Sequence, residues 1–316
     1  MGASGAPYPQ ASKPVLSVVI PARDHARPLE RLLDNLKKQK HPQGWDVEVI
    51  VAENDSGDDT VQVIARSGFQ HVASTGEGPG AARNAGVGAS KGQLLLFLDA
   101  DACPVADDFF VRTVNAAARL GNFGGFGGPI LLAPEQNGNP VAIGDHWACW
   151  FNWTAQRPFM QSRLFQPTVC FVMKRDVFER AGGFLQGALI LEDMELQNRL
   201  MAAGLPIYFV PELAVTHMAR ASLLRSWRHS WSWGGSFRER YLTVDKAYGL
   251  KFPVGDPRFY RNLGYIFRRR MRIVRGTVRR TSRWRDRIAW WLCHLTVFVW
   301  AAAVIWGREP IKSRPI

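Results

Sequence analysis

Leu94-Leu95-Leu96-Phe97-Leu98-Asp99-Ala100-Asp101 decides the fold. Five large apolar residues without a polar break read as a strand buried on both faces of a parallel sheet. The strand ends in two carboxylates one residue apart, Asp99 and Asp101. Open α/β sheets bind ligands beyond the carboxyl ends of their strands. Two hard oxygen donors there suit a divalent cation and the phosphates it would hold. A solvated turn is the other use of such a triplet, so the flanking sequence has to decide.

Working back from this strand, the pattern alternates. Val15–Ile20 is β-branched and apolar, a first buried strand. Leu29, Leu32, Leu33 and Leu36 then fall on one helical face, with Pro28 near the start where proline is tolerated. Val47–Val51 is a second strand, followed by the polar turn Glu53–Gly57. Asp58 or Asp59 caps a short helix that stops near Gly68. A weaker strand at His71–Ala73, a glycine-rich loop and the small-residue helix Ala81–Ala89 complete the run. Strand and helix alternating in this way predict an α/β fold with a mainly parallel central sheet.

Working forward, Asp107–Leu120 reads as an amphipathic helix and Gly124–Pro129 as a turn or close packing. Thr168–Met173 reads as a strand, Val177–Gly183 as a short helix, and Glu192–Ala203 as a helix stopped by Gly204. Short strands at Ile207–Val210 and Leu213–Thr216 lead to His217.

The chain has 316 residues, a hydrophobic fraction of 47% and a net charge of +13. That length suits one large domain with an appendage, or two modest domains. The four cysteines lack metal or disulfide spacing, which favours a reducing compartment. Most of the positive charge lies between Arg261 and Arg287, and Ile288–Trp306 behind it is nearly all apolar. A segment of that length can span a bilayer, with Trp290, Trp291 and Trp306 as interfacial belts. Next to it, the arginines suit anionic lipid headgroups rather than nucleic acid. Their excess over the short tail places the catalytic domain on the cytoplasmic side of a cell membrane. A helix lying in the interface is the other reading, since the span is short and contains His294. The expected division is a disordered tail over 1–13, a catalytic domain over 14–240, a basic juxtamembrane segment over 241–287, a membrane helix over 288–306 and a tail over 307–316.

Several motifs now stand in order. They are Ser17–Asp24, Glu53-Asn54-Asp55-Ser56 with Asp58 and Thr60, Gly78-x-Gly80-Ala81-Ala82-Arg83-Asn84-x-Gly86, and Asp99-Ala100-Asp101. Lys174-Arg175, Phe178, Ala181-Gly182-Gly183-Phe184, Glu192-Asp193-x-Glu195-Leu196, Arg199-Leu200, Gly204 and Val215-Thr216-His217 follow. Together they resemble the family 2 glycosyltransferases of GT-A fold, across about Val15 to Tyr241.

The resemblance implies a nucleotide-diphosphate sugar, of UDP or GDP type, over the carboxyl edge of the sheet. Pro21 and Asn54 match its donor-binding positions. Asn54 stands where Asp is usual and can both accept and donate, so the base stays open. Arg83 matches a phosphate-contacting arginine, Asp101 a direct ligand of Mn²⁺ or Mg²⁺, and His217 a distant histidine that completes the metal site. Asp99 is placed for ribose or for the metal. Asp193 matches the base that takes the acceptor's proton, with Glu192 beside it, and the helix dipole there favours an ionised carboxylate. Leu185-Gln186 departs from the acids usual after Phe184, which leaves acceptor contacts open. Trp227 and Trp231, four apart on a helix, can stack on a sugar or lipid acceptor, or pack against the domain or bilayer interface.

The chain lacks the Gln-x-x-Arg-Trp of processive relatives, so the expected activity adds one sugar per event to a glycan or lipid-linked acceptor, with inversion. A nucleotidyl or sugar-phosphate transferase, or a membrane-tethered scaffold without turnover, are the alternatives.

Overall fold

A computed structural model describes residues 13–162, 165–187, 190–244, 256–278 and 283–307. Nearly all of the proposed N-terminal tail, most of the C-terminal one and parts of the basic segment lie outside these residues.

The first hundred residues follow the alternation: β1 (Val15–Ala22), α1 (Ala26–Lys37), β2 (Asp46–Glu53), α2 (Thr60–Ser67), β3 (Gln70–Ala73), α3 (Gly78–Gly88) and β4 (Leu94–Leu98). Gly68 ends α2 at φ 76°, and Leu29, Leu32, Leu33 and Leu36 are all buried. The next stretch holds β5 (Ala102–Pro104), α4 (Phe109–Leu120), β6 (Gly125–Gly127), β7 (Ile130–Leu132), α5 (Pro140–Trp150) and β8 (Met160–Ser162). Then come β9 (Cys170–Lys174), α6 (Arg175–Arg180), α7 (Glu192–Ala202), β10 (Ile207–Phe209) and β11 (Val215–His217). Three long helices end the described chain: α8 (Leu223–Val244), α9 (Pro257–Val278) and α10 (Trp284–Trp306).

The main sheet has the order β3-β2-β1-β4-β9-β6-β10-β8. β1, β2, β3 and β4 are parallel, and β9 enters antiparallel to β4. β6 is antiparallel to β9 and parallel to β10, whereas β8 is antiparallel to β10. The sheet is therefore mainly parallel, with β8 and β9 reversed. β4 is wholly buried, as its composition requires. Leu94, Leu96 and Leu98 enter the cluster under α1 and α4, while Leu95 and Phe97 enter the one containing Phe171, Phe178, Phe184 and Leu196.

Pro21 falls within β1 without breaking the sheet. β1 pairs with β4 only through Val19, so the missing proline N–H lies beyond that ladder. The glycine-rich stretch, read as close packing or a turn, holds β6 and the approach to β7 and is closely packed. Gly125 and Gly127 sit where a Cβ would strike the Phe171 ring and the Cys170 carbonyl, so only glycine lets this strand lie against β9.

A second sheet, β5-β11-β7, has three residues in each strand. It pairs His217 with Ala102, directly after Asp101. That small sheet brings two distant motifs together.

The apolar C-terminal segment forms one helix long and apolar enough to cross a membrane, Trp284–Trp306, and one of its faces packs on the domain. Ala289, Cys293, Val297, Trp300 and Val304 form one buried stripe of α10, packed against α5 and α8. A Cβ at Gly234 of α8 would lie 2.5 Å from the Trp300 carbonyl, so the two backbones are close together. The other face exposes Trp284, Ile288, Trp291, Leu295, Phe298 and Trp306. The four cysteines are all buried free thiols.

Candidate active site

The site forms where β1, β2 and β4 end. Beyond β4, Asp99 and Asp101 are partly buried, and His217 at the end of β11 is buried. One donor atom from each of the three lies within 4.8 Å of the others. His217 Nε2 is 3.4 Å from Asp101 Oδ1, and its ring packs edge-on against Trp150 at 5.2 Å. Its buried Nδ1 makes no hydrogen bond among the described residues. Burial, and then the neighbouring His217, hold His146 of α5 down to about 3, so that imidazole is neutral.

Two carboxylates and an imidazole fit a Mn²⁺- or Mg²⁺-sized ion. Bonds of about 2.0–2.4 Å to one ion separate its ligand atoms by up to about 4–5 Å, in keeping with the observed spacing.

Behind this cluster Arg83 joins two motifs far apart in sequence. Its Nη2 donates to Asp99 Oδ1 at 2.7 Å and its Nη1 to Glu192 Oε1 at 2.6 Å. The side chain is only 3% exposed and lies over the Phe184 ring. Burial opposes its charge, but Asp99, Glu192 and Asp193 prevail and raise its pKa. An arginine expected to face phosphate is thus held by the chain's own acids. Burial raises Glu192 as well, with Arg83 pulling the other way.

Asp193 sits at the start of α7. Its Oδ1 accepts from the Met194 N–H at 2.7 Å and its Oδ2 from the Thr168 N–H at 3.4 Å. Even so, burial and then Glu192 push it up to about 7, against Arg83 and these two N–H groups. Desolvation and a neighbouring acid thus act against the pull of the helix end toward the ionised form. Leu191, just before the pair, has φ 69°, a strained conformation for a leucine at the rim of a site.

The chain holds this rim from behind. Asn84 clamps Phe184, accepting from its N–H at 2.9 Å and donating to its carbonyl at 2.8 Å. Gly183 precedes it at φ 71°, which a side chain would strain. Sequence reasoning read Asn84 only as part of a motif; its reach across a hundred residues has no local signal.

At the end of β2, Asn54 donates its Nδ2 to the Gly76 carbonyl. Pro21 and Asn54 thus lie at the ends of adjacent strands. On α8, Trp227 is partly buried with its indole nitrogen enclosed, Trp231 is 44% exposed, and Trp233 packs inward.

An open, mainly parallel sheet with acids gathered beyond a central strand is the arrangement of the GT-A glycosyltransferases. The chain belongs to glycosyltransferase family 2: the family model described as "Glycosyltransferase like family 2" matches residues 13–236. It is 25% identical to glycosyltransferase AglE of Haloferax volcanii, over 66% of this chain and 68% of that protein. It is 27% identical to the pre-mycofactocin glycosyltransferase of Mycobacterium tuberculosis over 67% of this chain, but this spans only 44% of that relative. The mannosyltransferase PcManGT of Pyrobaculum calidifontis, solved with GDP-Man and Mn²⁺, has a similar fold at TM-score 0.61 and 17% identity, covering 96% of this chain and 90% of that one.

Proposed function

We propose that this enzyme moves one sugar, with inversion and with a divalent metal, from a nucleotide-diphosphate sugar to a hydroxyl of a membrane-associated acceptor. The observation that carries the reading is the gathering of Asp99, Asp101 and His217 at the sheet edge, linked through Arg83 to the Glu192-Asp193 pair. The donors named for the similar mannosyltransferase structure and the family membership support it.

Asn54 gives its amide N–H₂ to Gly76, which leaves its oxygen to accept a ring N–H of the base. Uracil and guanine both offer one. Pro21 shapes the floor beneath the nucleoside. Asp101, His217 and Asp99 would hold Mn²⁺ or Mg²⁺, and the chemistry such an ion supplies is neutralisation of charge on the departing diphosphate. Arg83 fixes Asp99 and Glu192 in place with one N–H from each Nη, and its Nε makes no hydrogen bond among the described residues, which leaves donor capacity for a phosphate oxygen.

In the transfer, the acceptor oxygen attacks the anomeric carbon as the bond to the diphosphate breaks. The electron pair of that bond leaves with the diphosphate, and Asp193 takes the hydroxyl proton. A base with a pKa near 7 is matched to this task at neutral pH. Because Asp193 must be ionised to act and its pKa is raised to about 7, transfer is low in acid and climbs through neutrality. The expected profile of kcat falls about tenfold per unit below pH 7. A flat profile from pH 5 to 8, with chemistry shown to be rate-limiting, would remove Asp193 from this role.

Of the two membrane readings of α10, spanning or lying in the interface, the second suits the packing better. A spanning α10 would drag the face it packs on, including α5 with buried Asp145, toward hydrocarbon. The exposed apolar stripe of α10 and the exposed arginines of α9, among them Arg268, Arg272 and Arg275, instead suit a helix pair lying in an anionic interface. Co-sedimentation with phosphatidylglycerol vesicles that weakens in high salt checks this. A protein that ignores such vesicles contradicts it.

A further inference from the structure

The donor site leaves one large feature unexplained, a cavity of about 470 Å³ among α7, α8, α9 and α10. That volume is within the range of sites that enclose small organic ligands. Phe165, Leu191, Met194, Trp233, Ile266 and Trp300 supply apolar walls. Leu191 and Met194 directly flank Glu192 and Asp193, so this cavity adjoins the proposed base. Trp233, rather than Trp227 or Trp231, is the tryptophan of α8 that reaches it.

Its charged groups are of one sign: Arg269 and Arg270 line it, and among the described residues no Asp or Glu does. Arg270 is 7% exposed, lies over the rings of Phe151 at 4.8 Å and Trp300 at 4.7 Å, and donates to the Ala148 carbonyl at 3.0 Å. No carboxylate pairs with it among the described residues. Arg157 donates to the carbonyl of Asn152, another lining residue, at 3.1 Å. A buried guanidinium without an acid, beside an exposed one, is costly unless an anion completes it.

We infer that this cavity is the acceptor site and takes an amphiphile with a long apolar chain and an acidic linker. The chain lies among Phe165, Trp233 and Trp300, the acidic group meets Arg269 and Arg270, and a hydroxyl beyond it reaches Asp193. This rests on the glycosyl-transfer reading, which supplies the need for an acceptor beside that base. The tyrosine and arginines of α9 set the entrance on the side turned to the membrane, since Tyr265 both lines the cavity and is 63% exposed.

The test is photolabelling of the full chain in zwitterionic nanodiscs by a diazirine-bearing fifteen-carbon prenyl phosphate, with cross-links mapped by mass spectrometry. Labelling is expected at Phe165, Met194, Trp233 or Trp300. It should fall at least tenfold with the matching prenyl alcohol, with Arg269→Glu at an exposed position that tolerates the change, and with Ile266→Trp, which fills the space. Label confined to exposed Trp291 and Phe298, equal labelling by the alcohol, or displacement by phosphatidylglycerol in the disc would overturn the inference. Nucleotide-sugar binding is measured on the same preparation. Intact donor binding without cavity label overturns the acceptor site alone. Cavity label without donor binding keeps the ligand class and overturns glycosyl transfer.

Discussion

Asp193→Asn should bind nucleotide sugar and metal with near-normal affinity yet transfer sugar at least about a hundredfold more slowly, the range for losing a general base being about 10²–10⁴. The substitution keeps the shape of the side chain and one oxygen to accept from the Met194 N–H, giving up only the longer 3.4 Å contact with the Thr168 N–H, so α7 retains its first turn. What it removes is the ability to take a proton. Asp193 touches neither Asp99 nor Asp101 by hydrogen bond, so the donor side should be spared. Glu192→Gln provides the contrast. Arg83 keeps Asp99, and the acid that helps to raise Asp193 becomes neutral, so the acid limb of the pH profile should move to lower pH with a smaller loss of rate. Single-turnover transfer and donor titration, on both variants, separate the two roles. A dead Glu192→Gln beside a mild Asp193→Asn would reverse the assignment.

Asp101→Asn should have the other large effect, and on the opposite side of the reaction. The amide can still face His217 Nε2, 3.4 Å away in the parent, so the β5-β11 pairing survives. It lacks the charge a hard cation needs. Nucleotide binding in Mn²⁺ should drop to the level seen in EDTA, and turnover should fall by about 10²–10³-fold or more, the scale of losing electrostatic stabilisation of a leaving group. Calorimetry of nucleoside diphosphate binding with and without Mn²⁺ reads this directly. Metal-dependent binding that persists in Asp101→Asn would place the ion elsewhere.

Much of the first half of the fold was legible because its signals are local. Val15–Ile20 and Leu94–Leu98 are apolar runs of strand length, and the Leu29–Leu36 spacing fixes one helix face. The direction of β9 was not legible, since an apolar run such as Cys170–Met173 reads alike in either sense. Nor was the second sheet, whose strands are three residues each and carry no period. The acids beyond β4 and the Glu192-Asp193 pair stood out by position and family order. Their electrostatics did not, because Arg83 couples them across 109 residues and burial, which sequence does not display, sets the balance. The apolar C-terminal helix was legible as a segment of spanning length, but its packing was not, for a related reason. Its composition suits a bilayer, but Ala289, Cys293, Val297 and Val304 are spaced to pack on α5 and α8, a stripe hidden within an almost uniformly apolar segment. Trp233 shares with Ser226 and Ser230 the inward stripe of α8, a placement that its spacing beside Trp227 and Trp231 did not reveal.

The most direct measurement is a screen of nucleotide sugars for slow donor hydrolysis by the full-length protein without acceptor. Nucleoside diphosphate and free sugar are expected from a UDP- or GDP-linked donor in Mn²⁺ or Mg²⁺, with the release abolished by EDTA and by Asp101→Asn. Undiminished release in EDTA, or release of nucleoside monophosphate and sugar phosphate instead, would contradict it.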